Sequence, residues 1–400
     1  MPINRLLSRQ PIIYLFTCLF SGFSGAFMGP LLSLYLIDEL KVSPLSMGLL
    51  ISVMVLSGVV VSQFLAKKSD AGMSRKAIIL MAQIGFICTT CTLALTRNYY
   101  IALAAVIFFM SVSACSLPQI FTMGRNYADK YLANKAVLFI TMMRASIAVA
   151  WVIGPPLAFL INDQFGFTQT FLIAASSSIS VFFIVLIGLP NLHIEIEHNV
   201  KKSIHWQKTP GVLLFLLCIF FTFSANSMYI TTISLYLTQE LDLPSKWAGY
   251  LMGIAAFIEI PIMLSAGYLS LKIGTHRLIF IACSCGLIFH GGLLFTTQPW
   301  LLLLLQVFNA LFIGITASLG MVVVQDMMKK QMGLASTLFN SSQMLSMLLS
   351  SLMVGLIAQY FSYYAIFIVS TLFCAIAVLF LYLAERQIQA TKNNNVYACG

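Results

Sequence analysis

Charge is what this chain lacks. Of its 400 residues only 12 are acidic, and 8% are charged in all, against the roughly one-quarter share that soluble domains carry. A chain this poor in charge cannot keep its surface in water, so lipid must be the solvent for most of it. Long polar stretches are also scarce, and no loop has the length for a soluble catalytic or signalling domain. There is no Ser-His-acid set, no glycine loop of the kind that cradles phosphate and no cluster of metal ligands, which argues against an enzyme. The nine cysteines all lie in apolar runs except Cys399, and none falls in a loop on the outer side, so a disulfide framework is not expected. Cys88 and Cys91 have the spacing of a redox or zinc pair, but they sit within a run and lack partner ligands, so neither a metal nor a cofactor is expected.

What is present in quantity is apolar sequence, 60% of the residues. Twelve runs are long enough to cross a bilayer, which takes about 20 helical residues. They cover approximately 11–37, 46–66, 77–95, 99–123, 136–161, 168–189, 211–237, 247–271, 278–297, 300–325, 332–360 and 362–383. Lipid offers no partner to backbone N–H and C=O groups, so these runs must be helices; the ten-residue alternation of a membrane barrel is missing.

The chain also repeats itself. Ser33-Leu34-Tyr35-Leu36, Glu39-Leu40 and Gly48 recur as Ser234-Leu235-Tyr236-Leu237, Glu240-Leu241 and Gly249, and Phe20 answers Phe221 in the same ungapped register. A period of half the chain excludes a solenoid and points to a transporter built from two parallel six-helix halves. The expected division is 1–189 and 211–383, with a polar linker at 190–210 and a tail at 384–400 for which disorder is the default. The linker's His193, His198 and His205 lack zinc spacing and read as a solvated face. The first run could imitate a signal peptide, but its counterpart lies mid-chain, so it is expected to be retained.

The net charge of +10 records topology rather than a nucleic-acid partner. With the amino terminus in the cytoplasm, eighteen of the 22 Lys and Arg fall in cytoplasmic segments, three outside (Lys41, Arg97, Lys246) and one, Arg144, inside a helix. Both termini are therefore expected in the cytoplasm.

Two charges lie within the apolar runs. Glu259, twelve residues into the eighth run, falls near the bilayer midplane, where carboxyl groups are rare and tend to line cavities and exchange protons; the alternative is a protonated carboxyl held by an interhelical hydrogen bond. Arg144 keeps its charge and needs a carboxylate, an aqueous cavity or a path to snorkel. Trp151 follows two turns later on the same face, and a ring beside a forked donor suits a sugar, although membrane tryptophans more often pack. Buried amides are costly to leave unpaired, which makes Gln119, Asn226, Gln306, Asn309, Asn340 and Gln343 candidate substrate contacts. Single Ser and Thr hydroxyls are expected to bond their own backbone or a neighbouring helix. Gly22, Gly25 and Gly29 are expected to permit close helix approach, and His290 to pack.

The loop from Ala66 to Lys76, with Asp70, Arg75 and Lys76 in place, resembles the signature of the major facilitator superfamily. Ala66 replaces the usual glycine and Gly72 comes one position early. Gly154-Pro155-Pro156 resembles the helix-bending element of that superfamily's antiporters. Pro118-Gln119-Ile120-Phe121, Arg125-Asn126-Tyr127-Ala128-Asp129 and Trp151 to Phe159 are similar to the sugar efflux transporter family of bacterial inner membranes, over nearly the whole chain. The resemblance implies the major facilitator fold and proton-coupled export of small sugars or glycosides. It also implies gating by Asp70, Arg75, Lys76, Arg125, Asp129, Gly154 and Pro155. The expected partners are a sugar or glycoside, a proton and the bilayer, with the protein monomeric. A multidrug exporter is the alternative, since 20 Met and 31 Phe could line a broader cavity.

The charge asymmetry makes a direct prediction. Reporter fusions at Asn199 and after Arg386 are expected to read cytoplasmic; an external signal at either position overturns the assigned orientation.

Overall fold

The computed structural model describes residues 8–132, 135–190 and 209–397, and these are helical with no strand among them. The linker residues from Asn191 to Lys208, with their three histidines, and Cys399 lie outside the described residues. The helices are α1 (Arg9–Glu39), α2 (Pro44–Asp70), α3 (Arg75–Leu95), α4 (Tyr99–Tyr131), α5 (136–165), α6 (167–188), α7 (Val212–Glu240), α8 (Lys246–Ile273), α9 (Thr275–Leu293), α10 (Pro299–Met327), α11 (Met332–Tyr360) and α12 (Tyr363–Tyr397). They match the twelve apolar runs one for one. Each large apolar surface that a helix leaves exposed would be ruinous in water and is at home in hydrocarbon.

The turns follow from side-chain chemistry. Ser43 caps α2 by accepting from Ser46 N with Pro44 in the first turn, Ser74 accepts from Ala77 N at the start of α3, and Asn98 accepts from Tyr100 N and Ile101 N at the start of α4; such caps satisfy N–H groups that the helix itself leaves open. Between α5 and α6 the loop expected over several residues shrinks to one. Helical geometry continues on both sides of Gly166, whose φ of 83° and ψ of 177° break the path, a conformation that costs glycine little and other residues much. Gly274, at φ 91°, does the same between α8 and α9. The expected tail also differs: α12 continues past Leu383 to Tyr397. Residues such as Glu385, Arg386, Gln387 and Ala390 favour helix, and Gln387 Oε1 accepts from Gly211 N at 3.0 Å.

The described residues gather into two compact units, one within Met1–His198 with Asp242–Ala256, the other within Asn199–Leu241 with Phe257–Gly400. In the first, α1 packs along α5 and α6. A methyl added at Gly22 would lie 2.7 Å from Ala150 Cβ, and one at Gly154 would lie 2.5 Å from Ala26 Cβ, so both glycines permit a close approach. Gly25 and Gly29 do not share that role: nothing lies within 4 Å of the corresponding positions. In the second unit, α7 packs along α12 and α11.

The sequence repeat reappears as geometry. α1 ends in a widened turn, with Leu40 N bonded to Tyr35 O at 3.1 Å, and α7 ends likewise, with Leu241 N bonded to Tyr236 O at 3.2 Å. Lys41 and Asp242 then adopt the left-handed conformation, at φ 52° and 51°. Tyr35 meets Phe171 of α6 edge to face with centroids 5.0 Å apart, and Tyr236 meets Phe367 of α12 at the same distance. The two copies differ in their carboxylates. Glu39 pairs with Arg97 Nε at 2.5 Å, while Glu240 caps α12 by accepting from Tyr363 N and Tyr364 N at 2.5 and 3.1 Å.

Gly154→Val is expected to cost about 1–3 kcal/mol by overpacking against Ala26, whereas Gly25→Ala is expected to be neutral or to add about 0.5–1 kcal/mol of helix preference. Thermal unfolding in detergent measures both. Equal shifts for the two variants would contradict the α1–α5 contact described above.

Candidate functional site

Inside hydrocarbon a hydroxyl most easily bonds the carbonyl one turn back on its own helix. Thr17 donates to Ile13 O at 2.7 Å, Ser24 to Phe20 O at 3.0 Å, Thr316 to Phe312 O at 2.5 Å and Ser318 to Gly314 O at 2.6 Å. These hydroxyls are already engaged, as expected from the sequence. The amides and charges are the groups to follow.

In the first unit, Gln119 of α4 is buried, and its Oε1 accepts from Arg75 Nη1 at 3.1 Å. The neighbouring Lys76 donates from Nζ to Leu186 O and Leu189 O, each at 2.8 Å, closing the carboxyl end of α6. Cations are favoured there because the last carbonyls of a helix are unpaired and the dipole is negative. Two of the residues expected to gate thus fasten α3 to α4 and α6. Arg125 and Asp129 pair at 2.9 Å on an exposed face of α4, one turn apart. Asp70 is the last residue of its helix, and its side chain lies outside the described residues.

Arg144 of α5 is exposed, its guanidinium carbon 5.9 Å from the Phe121 ring centroid on α4. No carboxylate among the described residues pairs with it. Trp151, two turns along, is half-buried. Beyond it Pro155 and Pro156 receive the first turns of α8: a methyl added at Gly249 would lie 2.9 Å from Pro155 O, and one at Gly253 would lie 2.8 Å from Val152 O. Asp163, at the end of α5, accepts from Ser245 Oγ and, at 3.2 Å, from Lys246 N, so its carboxylate caps the amino terminus of α8.

The second unit holds a different arrangement. Gln306 of α10 is fully buried; its Oε1 accepts from Tyr229 OH at 3.3 Å and from Asn309 Nδ2 at 2.9 Å, and its Nε2 donates to Leu302 O at 3.0 Å. Asn309 Oδ1 is buried with no partner among the described residues. Asn226 and Gln343 are half-buried and Asn340 is exposed; none of the three side chains bonds another described group. Glu259 is half-buried on α8, its Cγ pressed toward Gly314 of α10, where an added methyl would lie 3.1 Å away. No interhelical hydrogen bond reaches its carboxyl among the described residues. His290 packs between Phe289, Phe312 and Tyr229, as expected for a core residue, and is also tied to Ser370 Oγ by Nδ1 at 2.9 Å.

The sequence-predicted residues therefore separate into two kinds. Gln119, Gln306, Arg75 and Lys76 commit their polar atoms to other helices or to their own backbone. Arg144, Asn226, Asn340, Gln343 and Glu259 keep theirs available. Sequence reasoning passed over Asp163, an acid at the very end of a run, and Gln83, an amide inside the third run. Gln83 Nε2 donates to Ser116 Oγ at 2.6 Å and its Oε1 accepts from Ser178 Oγ at 2.7 Å, joining α3, α4 and α6. An amide within an apolar run was the available signal.

Comparison with known proteins agrees with this architecture. The family model described as Major Facilitator Superfamily matches residues 14–299 and 287–396. Sugar efflux transporter A of Escherichia coli (strain K12) is 35% identical over 94% of this chain and 97% of its own length. Sugar efflux transporter C of the same organism is 35% identical over 91% and 93%. Among solved structures, the nucleoside transporter NupG superposes with a TM-score of 0.74, covering 95% of this chain and 99% of that one at 14% identity, a likeness of fold alone.

Gln306→Leu is expected to destabilise the protein by about 1–3 kcal/mol, because Tyr229 OH and Asn309 Nδ2 lose a buried acceptor. Asn340→Ala, which removes an exposed amide, is expected to leave the unfolding midpoint in place. A shift for Gln306→Leu no larger than that for Asn340→Ala would remove Gln306 from the structural network.

Proposed function

The chain belongs to the major facilitator superfamily and is an all-helical membrane transporter rather than an enzyme, and from that premise we propose that it exports small sugars or glycosides across a bacterial inner membrane in exchange for protons. The observation that carries the sugar reading is identity of 35% with a sugar efflux transporter across 94% of this chain. The termini face the cytoplasm in this reading, and the protein works as a monomer by alternating access.

The chemistry of the available side chains supports the same substrate class. A polyhydroxylated neutral molecule needs many neutral donors and acceptors and few charges. Asn226, Asn340 and Gln343 offer open amides, and Arg144 offers a rigid fork that bonds adjacent hydroxyls. Trp151 supplies an apolar plane for the C–H face of a ring. Gln306 and Asn309 contribute at one remove, by joining α10 to α7, which carries Asn226, and Gln119 joins α4 to α3. Arg75, Lys76, Arg125, Asp129 and Asp70 mark the cytoplasmic gate, and Gly154 and Pro155 act in gating by shaping α5 where it meets the first turns of α8.

Glu259 is the proposed proton carrier. It has no cation or donor among the described residues to hold it ionised, so it can exist neutral in an apolar setting and release its proton when water reaches it. In each cycle a proton binds the carboxylate on the outer side and leaves on the inner side, while a sugar moves the other way. Glu259→Gln mimics the protonated group and cannot release it. In inverted vesicles this variant is expected to lose pH-driven accumulation of labelled sugar while retaining sugar exchange. Accumulation equal to that of the parent would remove Glu259 from the coupling, and absence of sugar transport by the parent would overturn the substrate class.

A further inference from the structure

Exposed aromatic side chains mark both ends of the apolar helices, but the two ends differ in what stands over the rings. At the carboxyl ends of α2, α4, α8 and α12 a cation covers each one. Lys68 Nζ lies 5.7 Å from the centroid of Phe64, Lys130 Nζ 5.4 Å from Tyr131, Lys272 Nζ 4.7 Å from Tyr268 and Arg386 Cζ 4.8 Å from Tyr382. Each is the end of an even-numbered span, so chain alternation puts all four on one side of the membrane. At the ends of odd-numbered spans Phe165, Phe295 and Phe361 are exposed, Phe295 by 90% and Phe361 by 79%, with no cation over their rings among the described residues. Arg97 on that side is paired with Glu39.

The second unit concentrates the pattern at one corner. The turn at Gly274 joins α8 to α9, and His276 Nδ1 lies 3.9 Å from Glu385 Oε1 of α12. That contact brings Lys272, four residues before His276, and Arg386, next to Glu385, to the same edge. Arg277 adds a third exposed cation. No carboxylate among the described residues forms an ion pair with Lys272, Arg277 or Arg386. Leu271, 86% exposed, projects from the same turn.

We propose that this corner of α8, α9 and α12 binds the phosphodiester headgroup of an anionic phospholipid. Three cations against one half-buried carboxylate leave a surplus of positive charge, and an ammonium and two guanidinium forks match phosphate oxygens. Rings such as Tyr268 and Tyr382 sit naturally at the level where headgroup gives way to acyl chain, and Leu271 meets the chains below. Juxtamembrane cations are drawn to anionic leaflets by the same charge complementarity. A soluble anion has no use for the exposed Leu271 and the tyrosine faces, so the lipid is the occupant that accounts for both halves of the site.

The test is native mass spectrometry of the full chain in uncharged detergent, supplied with phosphatidylglycerol and phosphatidylcholine of equal chain length. The parent is expected to retain phosphatidylglycerol several-fold over phosphatidylcholine. The triple variant Lys272→Gln, Arg277→Gln, Arg386→Gln is expected to bring that ratio toward one, with its unfolding midpoint unchanged because all three side chains are exposed. A control at the other end, Lys41→Gln with Lys246→Gln, is expected to leave the ratio intact. Equal retention of the two lipids by the parent overturns the proposal, as does an unchanged ratio in the triple variant or an equal loss in the control. Release of the bound lipid by inorganic phosphate as readily as by added phosphatidylglycerol would assign the corner to a free anion instead, and overturn it too.

Discussion

Hydrocarbon provides no hydrogen-bonding partner, and every feature of this molecule answers to that fact. It forces the backbone into helices, sends most hydroxyls to the carbonyl one turn behind them, and makes each buried amide or charge a matter of who receives it. The joints between helices show the same pressure. Asp163 caps α8, Glu240 caps α12 and Lys76 closes α6, so that a few acidic and basic residues cover backbone groups that lipid would leave bare. With only 12 acidic residues in the chain, using two of them on helix ends indicates how costly those ends are.

A protein that moves polar solutes must then hold some polar groups back. Gln306 is consumed by Tyr229, Asn309 and a backbone carbonyl, and Gln119 by Arg75. Arg144 and Glu259 are left without a counter-charge among the described residues. A guanidinium supported by the face of an aromatic ring, and a carboxyl pressed toward a glycine, are expensive to keep unpaired. The two kinds of polar residue look alike along the chain and part company only once their neighbours are known.

That difference also marks how far the sequence could be read. The twelve crossings and the repeat were legible because hydropathy and periodicity act locally. The close approach at Gly22 was legible; the open surroundings of Gly25 and Gly29 were not, because whether a neighbour covers a given stretch of helix is decided by residues far away in sequence. The amides of Gln119 and Gln306 were found as polar groups, but their use as fasteners depends on Arg75 and Tyr229, 44 and 77 residues distant. Gln83, with partners on α4 and α6, escaped for the same reason. The persistence of α12 beyond Leu383 was hidden by its polar composition, although its residues favour helix.

Gly166 carries a consequence of another order. One residue with φ of 83° separates what would otherwise be a single helix from Ala136 to Gly188 into two crossings, and so makes the number of crossings before the linker even rather than odd. Parity decides what a duplication can produce. An even copy followed by itself enters the membrane in the same sense, and its basic loops return to the face where the first copy left them. An odd copy would enter upside down, with Lys272 and Arg277 delivered to the wrong side. The evenness of that count therefore hangs on Gly166, where the chain reverses with no side chain in the way.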